Sequence, residues 1–398
     1  MKAMNIAFFG SSLVSAYWNG AATYYRGIIR ALHSLGHQIT FYEPDAYDRQ
    51  KHRDIPDPDW ARVVVYPADD GGVLGALERA RGVDLLVKTS GVGVYDELLE
   101  AAVLDIKDSH TTTVFWDVDA PATLDRVKAD RSDRFNDLIP LYDLILTYGG
   151  GEPVVRTYLE LGAQTCVPIY NAHDPDTHHP VPAEERFACD LALLANRLPD
   201  REARIEKFFF EAAARLPEYR FMLGGNGWSD KAMPANVTYT GHVYTRDHNA
   251  FNCSARAVLN VNRESMASYG FSPATRIFEA AGSAACLITD AWKGIETFLT
   301  PDREVLVSHD AGDVVQHLRS LDADRAKQIG TAARQRVLAE HTYQHRALQL
   351  QALLNGDNPS FERVDRSAPG PVECRAPRDN KAPTSRRTPG SYLLTRHD

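Results

Sequence analysis

The sequence predicts an α/β protein built from two doubly wound domains, and three observations lead there. Short apolar runs alternate with helix-patterned stretches along most of the chain, which is the pattern of a parallel sheet covered on both faces. The alternation breaks once, in a Pro-rich polar segment at residues 171–185, and then restarts. The length of 398 residues also holds two or three domains of roughly 100–200 residues each.

Composition narrows the class. With 44% hydrophobic and 24% charged residues the chain is ordinary globular protein, which excludes collagen-like, coiled-coil and wholly disordered readings. A formal net charge of −9 offers no global basic surface, so no nucleic-acid partner is expected. No apolar run approaches the roughly 18 residues that a membrane-spanning helix needs. The five cysteines, Cys166, Cys189, Cys253, Cys286 and Cys374, show no CxxC spacing, which argues against a disulfide framework or a cysteine-rich zinc site. Residues 6–16 are apolar after Lys2, but a strand followed by a Gly10 loop fits them better than a secretory signal, and a cytoplasmic location is expected.

In order along the chain, strands are expected at residues 3–9, 38–42, 83–88, 113–117, 144–147 and 165–169. The clearest helix between them is 23–35, where Tyr24, Ile28, Leu32 and Leu35 share one face and Gly36 supplies the stop. After the break, strands are expected at 190–195, 220–223, 237–240, 257–261, 286–289 and 304–307. A last helix, 342–354, carries Leu348, Ala352 and Leu353 at helical spacing. This gives a first domain at 1–172, a linker at 173–186, a second domain at 187–340 and a terminal helix at 341–355. Residues 356–398 hold six prolines and only two aromatics, Phe361 and Tyr392, and are expected to form a disordered tail. Two such domains leave a cleft between the carboxyl ends of two sheets, where α/β folds bind ligands.

The most informative segment is 269–282, Tyr-Gly-Phe-Ser-Pro-Ala-Thr-Arg-Ile-Phe-Glu-Ala-Ala-Gly. Ser272 suits a helix N-cap, Pro273 the first helical position and Gly282 the stop. Gly270 lets a ligand approach the backbone, and free N–H groups from Gly270 through Phe271 and Ser272 to Ala274 would hold a diphosphate at the helix end. Arg276 and Glu279 share a helix face, which places a carboxylate one turn beyond the phosphates, within reach of two ribose hydroxyls. The same spacing also describes a well-capped amphipathic helix with a surface ion pair.

Other candidates are scattered. Asn196, Arg197, Arg201 and Arg204 follow the strand at 190–195 and supply positive charge, although Arg201 and Arg204 also read as a solvated helix face. Gly20 and Ala21 open a helix after a long loop from Gly10. No GxGxxG is present, which disfavours a nicotinamide cofactor. Asp117-Val-Asp119 closes a strand after Trp116, a residue that reads either as a sugar-stacking platform or as core. His110 is a further cleft candidate, or a structural histidine. His173, His178 and His179 lie beside Asp174 and Asp176, but shared ligation by sequential histidines in a Pro-rich hinge needs unusual backbone geometry, so no metal site is expected.

The segment 269–282 resembles the nucleotide-sugar site of retaining GT-B glycosyltransferases, most of all their CgeB-like (spore maturation protein) branch, related to retaining group 1 glycosyltransferases. The resemblance extends through Ala285-Cys-Leu-Ile-Thr-Asp-Ala-Trp-Lys-Gly-Ile-Glu296 and His341-Thr-Tyr-Gln-His-Arg346. It also takes in Leu223-Gly-Gly-Asn-Gly227 and Gly241-His242-Val243. It is specific over residues 187–350 and weaker over the first domain. It implies a GT-B architecture of two Rossmann-like domains facing across a cleft, with a C-terminal crossover helix. It further implies a nucleoside-diphosphate sugar as donor substrate, no cofactor, and an acceptor hydroxyl on a glycan, protein or small molecule, with retention of configuration.

By the same resemblance Glu279 holds the ribose, and the amides at Gly270, Phe271 and Ser272 hold the diphosphate with Arg276. Arg197 first, then Arg201, meets the same diphosphate, and Gly225 and Asn226 belong to the donor site. The turn at Gly20 and Ala21 approaches the phosphates or the acceptor. Asp117, Asp119 and His110 line the cleft and bind or deprotonate the acceptor hydroxyl. One position departs from the wider group: where a second glutamate contacts the sugar eight residues before the ribose glutamate, this chain has Phe271. Donor-sugar recognition is expected to differ accordingly.

Three other readings compete. Asp-x-Asp after a strand is the metal motif of the GT-A architecture, although the two-domain repeat fits GT-B better. A nucleotide-sugar epimerase on the same fold would need no acceptor. A non-catalytic two-lobed sugar- or nucleotide-binding protein would normally carry an export signal. Release of nucleoside diphosphate from sugar nucleotides separates them.

Overall fold

Thirteen strands, all paired in parallel, make two sheets in the computed structural model, which describes residues 3–17, 19–91 and 93–356. The expected disordered tail lies, beyond Gly356, outside the described residues. The first sheet contains β1 (Asn5–Phe9), β2 (Gln38–Asp45), β3 (Arg62–Pro67), β4 (Leu85–Thr89), β5 (Thr112–Asp117), β6 (Leu144–Thr147) and β7 (Cys166–Pro168). Their order is β3-β2-β1-β4-β5-β6-β7, with Ile6 opposite Leu85 and Phe8 opposite Val87 in the central pair. The crossovers carry α1 (Ala22–Ser34), α2 (Asp70–Arg79), α3 (Asp96–Asp105), α4 (Ala120–Ala129), α5 (Phe135–Leu138) and α6 (Gly151–Glu160).

These are doubly wound sheets because their strands are apolar on both faces. Every residue of β4 is buried, and separate cores lie on the two sides of the sheet. α1 buries Tyr24, Tyr25, Ile28, Ile29 and Leu32 against one side, each contributing roughly 1.5–3 kcal/mol relative to exposure. It ends where expected, with Gly36 in the left-handed region at φ 92°. The strand β3 was not among those expected. It is an edge strand with only Tyr66 buried, and it ends in Pro67, so it lacks the two-sided apolar signal of its neighbours.

The second sheet contains β8 (Cys189–Leu194), β9 (Phe221–Gly224), β10 (Val237–Gly241), β11 (Ala255–Asn260), β12 (Leu287–Asp290) and β13 (Leu306–Ser308), ordered β10-β9-β8-β11-β12-β13. After β8, α7 (Pro199–Ile205) runs through a π-helical stretch (Glu206–Phe210) into α8 (Glu211–Arg215), burying Phe208, Phe209 and Phe210. The remaining helices are α9 (His248–Ser254), α10 (Glu264–Tyr269), α11 (Thr275–Gly282), α12 (Ala311–Ser320), α13 (Ala323–Glu340) and α14 (Tyr343–Leu354). In each sheet the strand order reverses once, between β1 and β4 and between β8 and β11, which opens a crevice at the carboxyl ends.

α14 crosses back onto the first domain. Tyr343, Ala347 and Leu350 join the core beside α1, and Arg346 donates to the carbonyls of Tyr170 (3.2 Å) and Asn171 (3.3 Å). Gly27 makes the crossing fit, since a Cβ there would stand 2.3 Å from the Tyr343 ring.

One helix start differs from expectation. α11 begins at Thr275, and Ser272 does not cap it: its hydroxyl donates to Gly270 O at 2.9 Å. The loop before the helix is instead fixed by the first domain. Gly150 N donates to Phe271 O (2.9 Å), and Asn171 Nδ2 donates to Pro273 O (3.3 Å) and Thr275 Oγ1 (3.2 Å). Tertiary partners have overridden the local capping signal.

Candidate functional site

A cavity of about 330 Å³ opens at the β8/β11 switch point. Its walls come from chain segments leaving strand ends: Asn196 after β8, Gly225 after β9, and Asn260, Asn262 and Arg263 at and after β11. The first turns of α11 close it with Arg276 and Glu279, α7 contributes Arg201, and Tyr148 reaches in from the first domain. Gly225 is required by shape. Its φ is 121°, and a Cβ would lie 2.2 Å from Ala195 O, so the β8 and β9 loops touch backbone to backbone.

The polar groups of this cavity are unusually short of partners. Arg201 Nη2 donates to Asn196 O at 2.7 Å, but its Nε is buried with no hydrogen-bond partner. Burial pulls the Arg201 guanidinium down to about 10, with Asp200 opposing and the positive charges of Arg263 and Arg276 adding to the shift. Arg276 Nη1 lies 2.8 Å from Glu279 Oε2 as an ion pair, yet the geometry makes no hydrogen bond, and Arg276 Nε and Nη1 and Glu279 Oε2 all remain unpartnered. Glu279 is only 7% exposed. Burial alone would raise its carboxyl, but Arg276, then His178 and His248, pull it down to about 2. Around one cavity there are thus three buried charges whose hydrogen bonding is incomplete: Arg201 with a free Nε, and the Arg276–Glu279 ion pair with Arg276 Nε free and no hydrogen bond formed between the two side chains. A buried polar group left in that state costs roughly 1–3 kcal/mol, more when charged, which a ligand supplying both an anion and hydroxyl donors would recover.

The structure brings together only part of the sequence-derived set. Arg201, Gly225, Arg276 and Glu279 line the cavity. Asn226 is next to it, its backbone N–H donating to Asn196 Oδ1 at 2.9 Å. Arg197, expected to lead the basic loop, is turned away: Glu202 (2.7 Å) and Asp230 (3.0 Å) hold its guanidinium against Trp228. Arg204 is a brace, paired with buried Asp290 and with Glu264. The amides of Gly270 and Phe271 do not wait for phosphate, because they donate to Met266 O (3.1 Å) and Lys293 O (2.6 Å). Ser272 and Phe271 pack instead under the Gly149–Gly151 turn of the first domain.

In the first domain the placements diverge. Asp117 is wholly buried; Ser90 Oγ, Asp119 N and Thr123 Oγ1 donate to Oδ1, and Tyr158 OH donates to Oδ2. Burial raises its carboxyl, with those donors opposing. Asp117 therefore braces the end of β5 and does not line the cleft, and the Asp-x-Asp pair does not present two open carboxylates to a metal. Asp119 does face the second domain, with Oδ2 3.7 Å from Arg263 Nη1, while Arg263 Nε donates to Asp200 at 2.6 Å. Burial pushes the Asp119 carboxyl up, with Arg263 opposing and Asp200 adding. His110 is not in the cleft. It is exposed in the turn before β5, at the amino end of the strand and so opposite Asp117. Trp116 is core, its indole N–H donating to Tyr24 OH at 3.0 Å. Gly20 is exposed and Ala21 precedes α1 at the carboxyl end of β1, with open space above Gly20.

Residues that sequence reasoning missed include Tyr148, His248, Asn260, Asn262 and Arg263. For the last three a signal existed, since they occupy the end of a strand and the loop just after it at a switch point. For His248 none did.

Comparison with known proteins follows this geometry. Residues 201–352 match the model of a family described as glycosyl transferase-like. No curated protein matches the chain. Among solved structures, sucrose-phosphate synthase from Thermosynechococcus elongatus superposes with a TM-score of 0.65 at 15% identity, covering 89% of this chain and 98% of that one. HepE from Anabaena, solved with UDP and glucose, gives 0.65 at 12% identity over 89% and 100%. An alpha-glucosyltransferase solved with UDP and a 13-mer DNA gives 0.64 at 11% identity over 89% and 99%. The shared fold is GT-B: two Rossmann-like domains facing across a cleft. Among the described residues no helix is long and apolar enough to cross a membrane.

Proposed function

We propose that this chain is a glycosyltransferase that moves a sugar from a nucleoside-diphosphate donor to an acceptor hydroxyl with retention of configuration. The observation carrying this reading is the set of buried charges with incomplete hydrogen bonding around one cavity at the β8/β11 switch point: Arg201, whose Nε has no hydrogen-bond partner, and the Arg276–Glu279 ion pair, in which Arg276 Nε has none. A nucleoside diphosphate supplies what they lack. Its ribose diol donates to Glu279, and its diphosphate accepts from Arg201 and Arg276 at the positive end of the α11 dipole.

The same groups assist departure of the diphosphate. Negative charge grows on it as the glycosidic bond breaks, and buried guanidinium groups fixed in advance stabilise that charge without reorganising. No divalent metal is needed for this. The acceptor enters from the first domain, where Asp119 is the carboxylate facing Arg263 across the cleft and the candidate to orient or deprotonate the hydroxyl. Membership of the CgeB-like branch and retention of configuration rest on the sequence resemblance at 269–296 and 341–346, and a hexose donor and cytoplasmic location belong to the same proposal. UDP is the first probe, since two of the similar structures hold UDP.

The test incubates the protein with UDP-, GDP- and ADP-sugars, with and without acceptor panels, and measures nucleoside diphosphate release. Release that rises with an acceptor and is unaffected by a chelator is expected. Epimerised donor without release would assign an epimerase, binding without turnover a binding protein, and turnover abolished by chelator would overturn the metal-free mechanism.

A further inference from the structure

Around Glu279 the structure gathers two histidines to which the proposed transfer reaction gives no role. His178 comes from the linker between the domains, His248 from the start of α9 and Glu279 from α11. One ligand-capable atom from each lies within 4.8 Å of the others, the group among the described residues that could hold a metal ion. His178 Nε2 and His248 Nδ1 are both buried and without hydrogen-bond partners. His248 Nε2 sits 3.3 Å from Val243 O, and a carbonyl can only accept. That contact therefore places the proton on Nε2 and leaves the buried Nδ1 as a lone pair without a partner, the arrangement in which a backbone carbonyl orients a metal-binding imidazole. His178 Nε2 is 3.9 Å from Glu279 Oε1, beyond hydrogen-bond reach, so no hydrogen bond holds the two together.

We propose that His178, His248 and Glu279 form a binding site for a transition-metal dication with the ligand preference of zinc, and that its occupancy and donor binding exclude one another. Two neutral imidazoles and one carboxylate suit zinc or cobalt, whereas magnesium and calcium want oxygen ligands. Three protein ligands leave one position for water. Arg276 approaches the same carboxylate from the Oε2 side, so the ion and the guanidinium share Glu279 between them. The exclusion, unlike the metal site itself, rests on the ribose role proposed above for Glu279: with Oε1 bound to the ion and Oε2 facing Arg276, the carboxylate becomes a poorer acceptor for two ribose hydroxyls.

The test uses the full chain stripped by chelator and titrated with cobalt(II), followed by its ligand-field absorption, and then with zinc in competition. One saturable equivalent is expected, with the intense visible bands of a low-coordinate nitrogen and oxygen site. His178→Gln and His248→Gln should each weaken binding at least about tenfold, while His179→Gln, exposed in the same linker, should leave it unchanged. Absence of saturable binding overturns the site, as does equal affinity in a His178→Gln protein whose circular dichroism melt is intact. If the variants do not fold, the parent's cobalt spectrum decides: weak octahedral bands overturn the proposal. Saturating UDP should lower the apparent cobalt affinity. Cobalt binding that UDP occupancy does not disturb removes the exclusion and Glu279's ribose role together, and leaves the metal site standing.

Discussion

Glu279 concentrates the consequences of the proposed donor site in one side chain. A carboxylate accepting two ribose hydroxyls gains about 1.5–3 kcal/mol per charged bond before compensation. Allowing for non-additivity, Glu279→Gln should weaken nucleoside diphosphate binding by roughly one to two powers of ten in calorimetric titration. Gln keeps the shape and helix propensity, so the fold should survive; unchanged affinity would remove the ribose role. The same residue has a pH signature. Its folded carboxyl is held near 2 against an ordinary 4.5, so the folded state releases this proton more readily than the unfolded one. The resulting stabilisation, on the order of 3 kcal/mol, is present above pH 4.5 and is lost as pH falls toward 2. Thermal melts of parent and Glu279→Gln should therefore differ by a constant amount above pH 4.5 and converge below it. A difference that persists unchanged to pH 2 would show the Arg276 pairing to be too weak to hold the carboxyl down.

At the scale of elements, the loops at strand ends decide where the charges stand. The β8 and β9 loops meet at Gly225, and Ala195 O, which Gly225 must clear, also accepts from Trp228 Nε1 at 2.7 Å. Gly225→Ala forces either the left-handed strain or a shift of Ala195, and should cost about 1–3 kcal/mol in denaturant unfolding. Nucleotide affinity should fall with it because Asn196 moves; a fully stable, fully binding variant would mean the loops yield freely. What was legible in the sequence follows the same physics. Strands apolar on both faces announced themselves and were located within a few residues, whereas β3, with one buried side chain, did not. Arg276 and Glu279 were readable as a pair because helical spacing fixes them locally. Ser272-Pro273 misled because Asn171 and Gly150, from the other domain, set that loop, and no local pattern records a distant partner. That Arg201 lines the cavity while Arg197 is paired outside it was not legible for a similar reason: nearness to the strand end says nothing about which guanidinium Glu202 and Asp230 will capture. The convergence of His178, His248 and Glu279 required three elements to fold first.

For the whole molecule, the question is how the two domains are held as one. The last helix begins just after the second domain and ends in the core of the first, so α14 is a clamp whose fit depends on the absence of a side chain at Gly27. A Cβ there meets Tyr343 Cδ2 and Cε2 at 2.3 Å, and the ring is buried against Tyr24 with centroids 6.0 Å apart. Gly27→Val should therefore expel the ring, loosen Ala347 and Leu350 from their core, and cost about 1–3 kcal/mol. Because the clamp joins two domains with separate cores, the loss should show as loss of cooperativity. The parent should melt in one calorimetric transition and Gly27→Val in two. The proposed donor cavity is built almost wholly from the second domain, so a nucleoside diphosphate at a hundred times its dissociation constant, adding about 2.7 kcal/mol to the domain that binds it, should raise one transition of the variant and leave the other in place. In the parent the same ligand should raise the single transition. One transition in both proteins, or equal protection of both transitions in the variant, would mean that the contacts of Gly150 and Asn171 with the α11 loop couple the domains without α14.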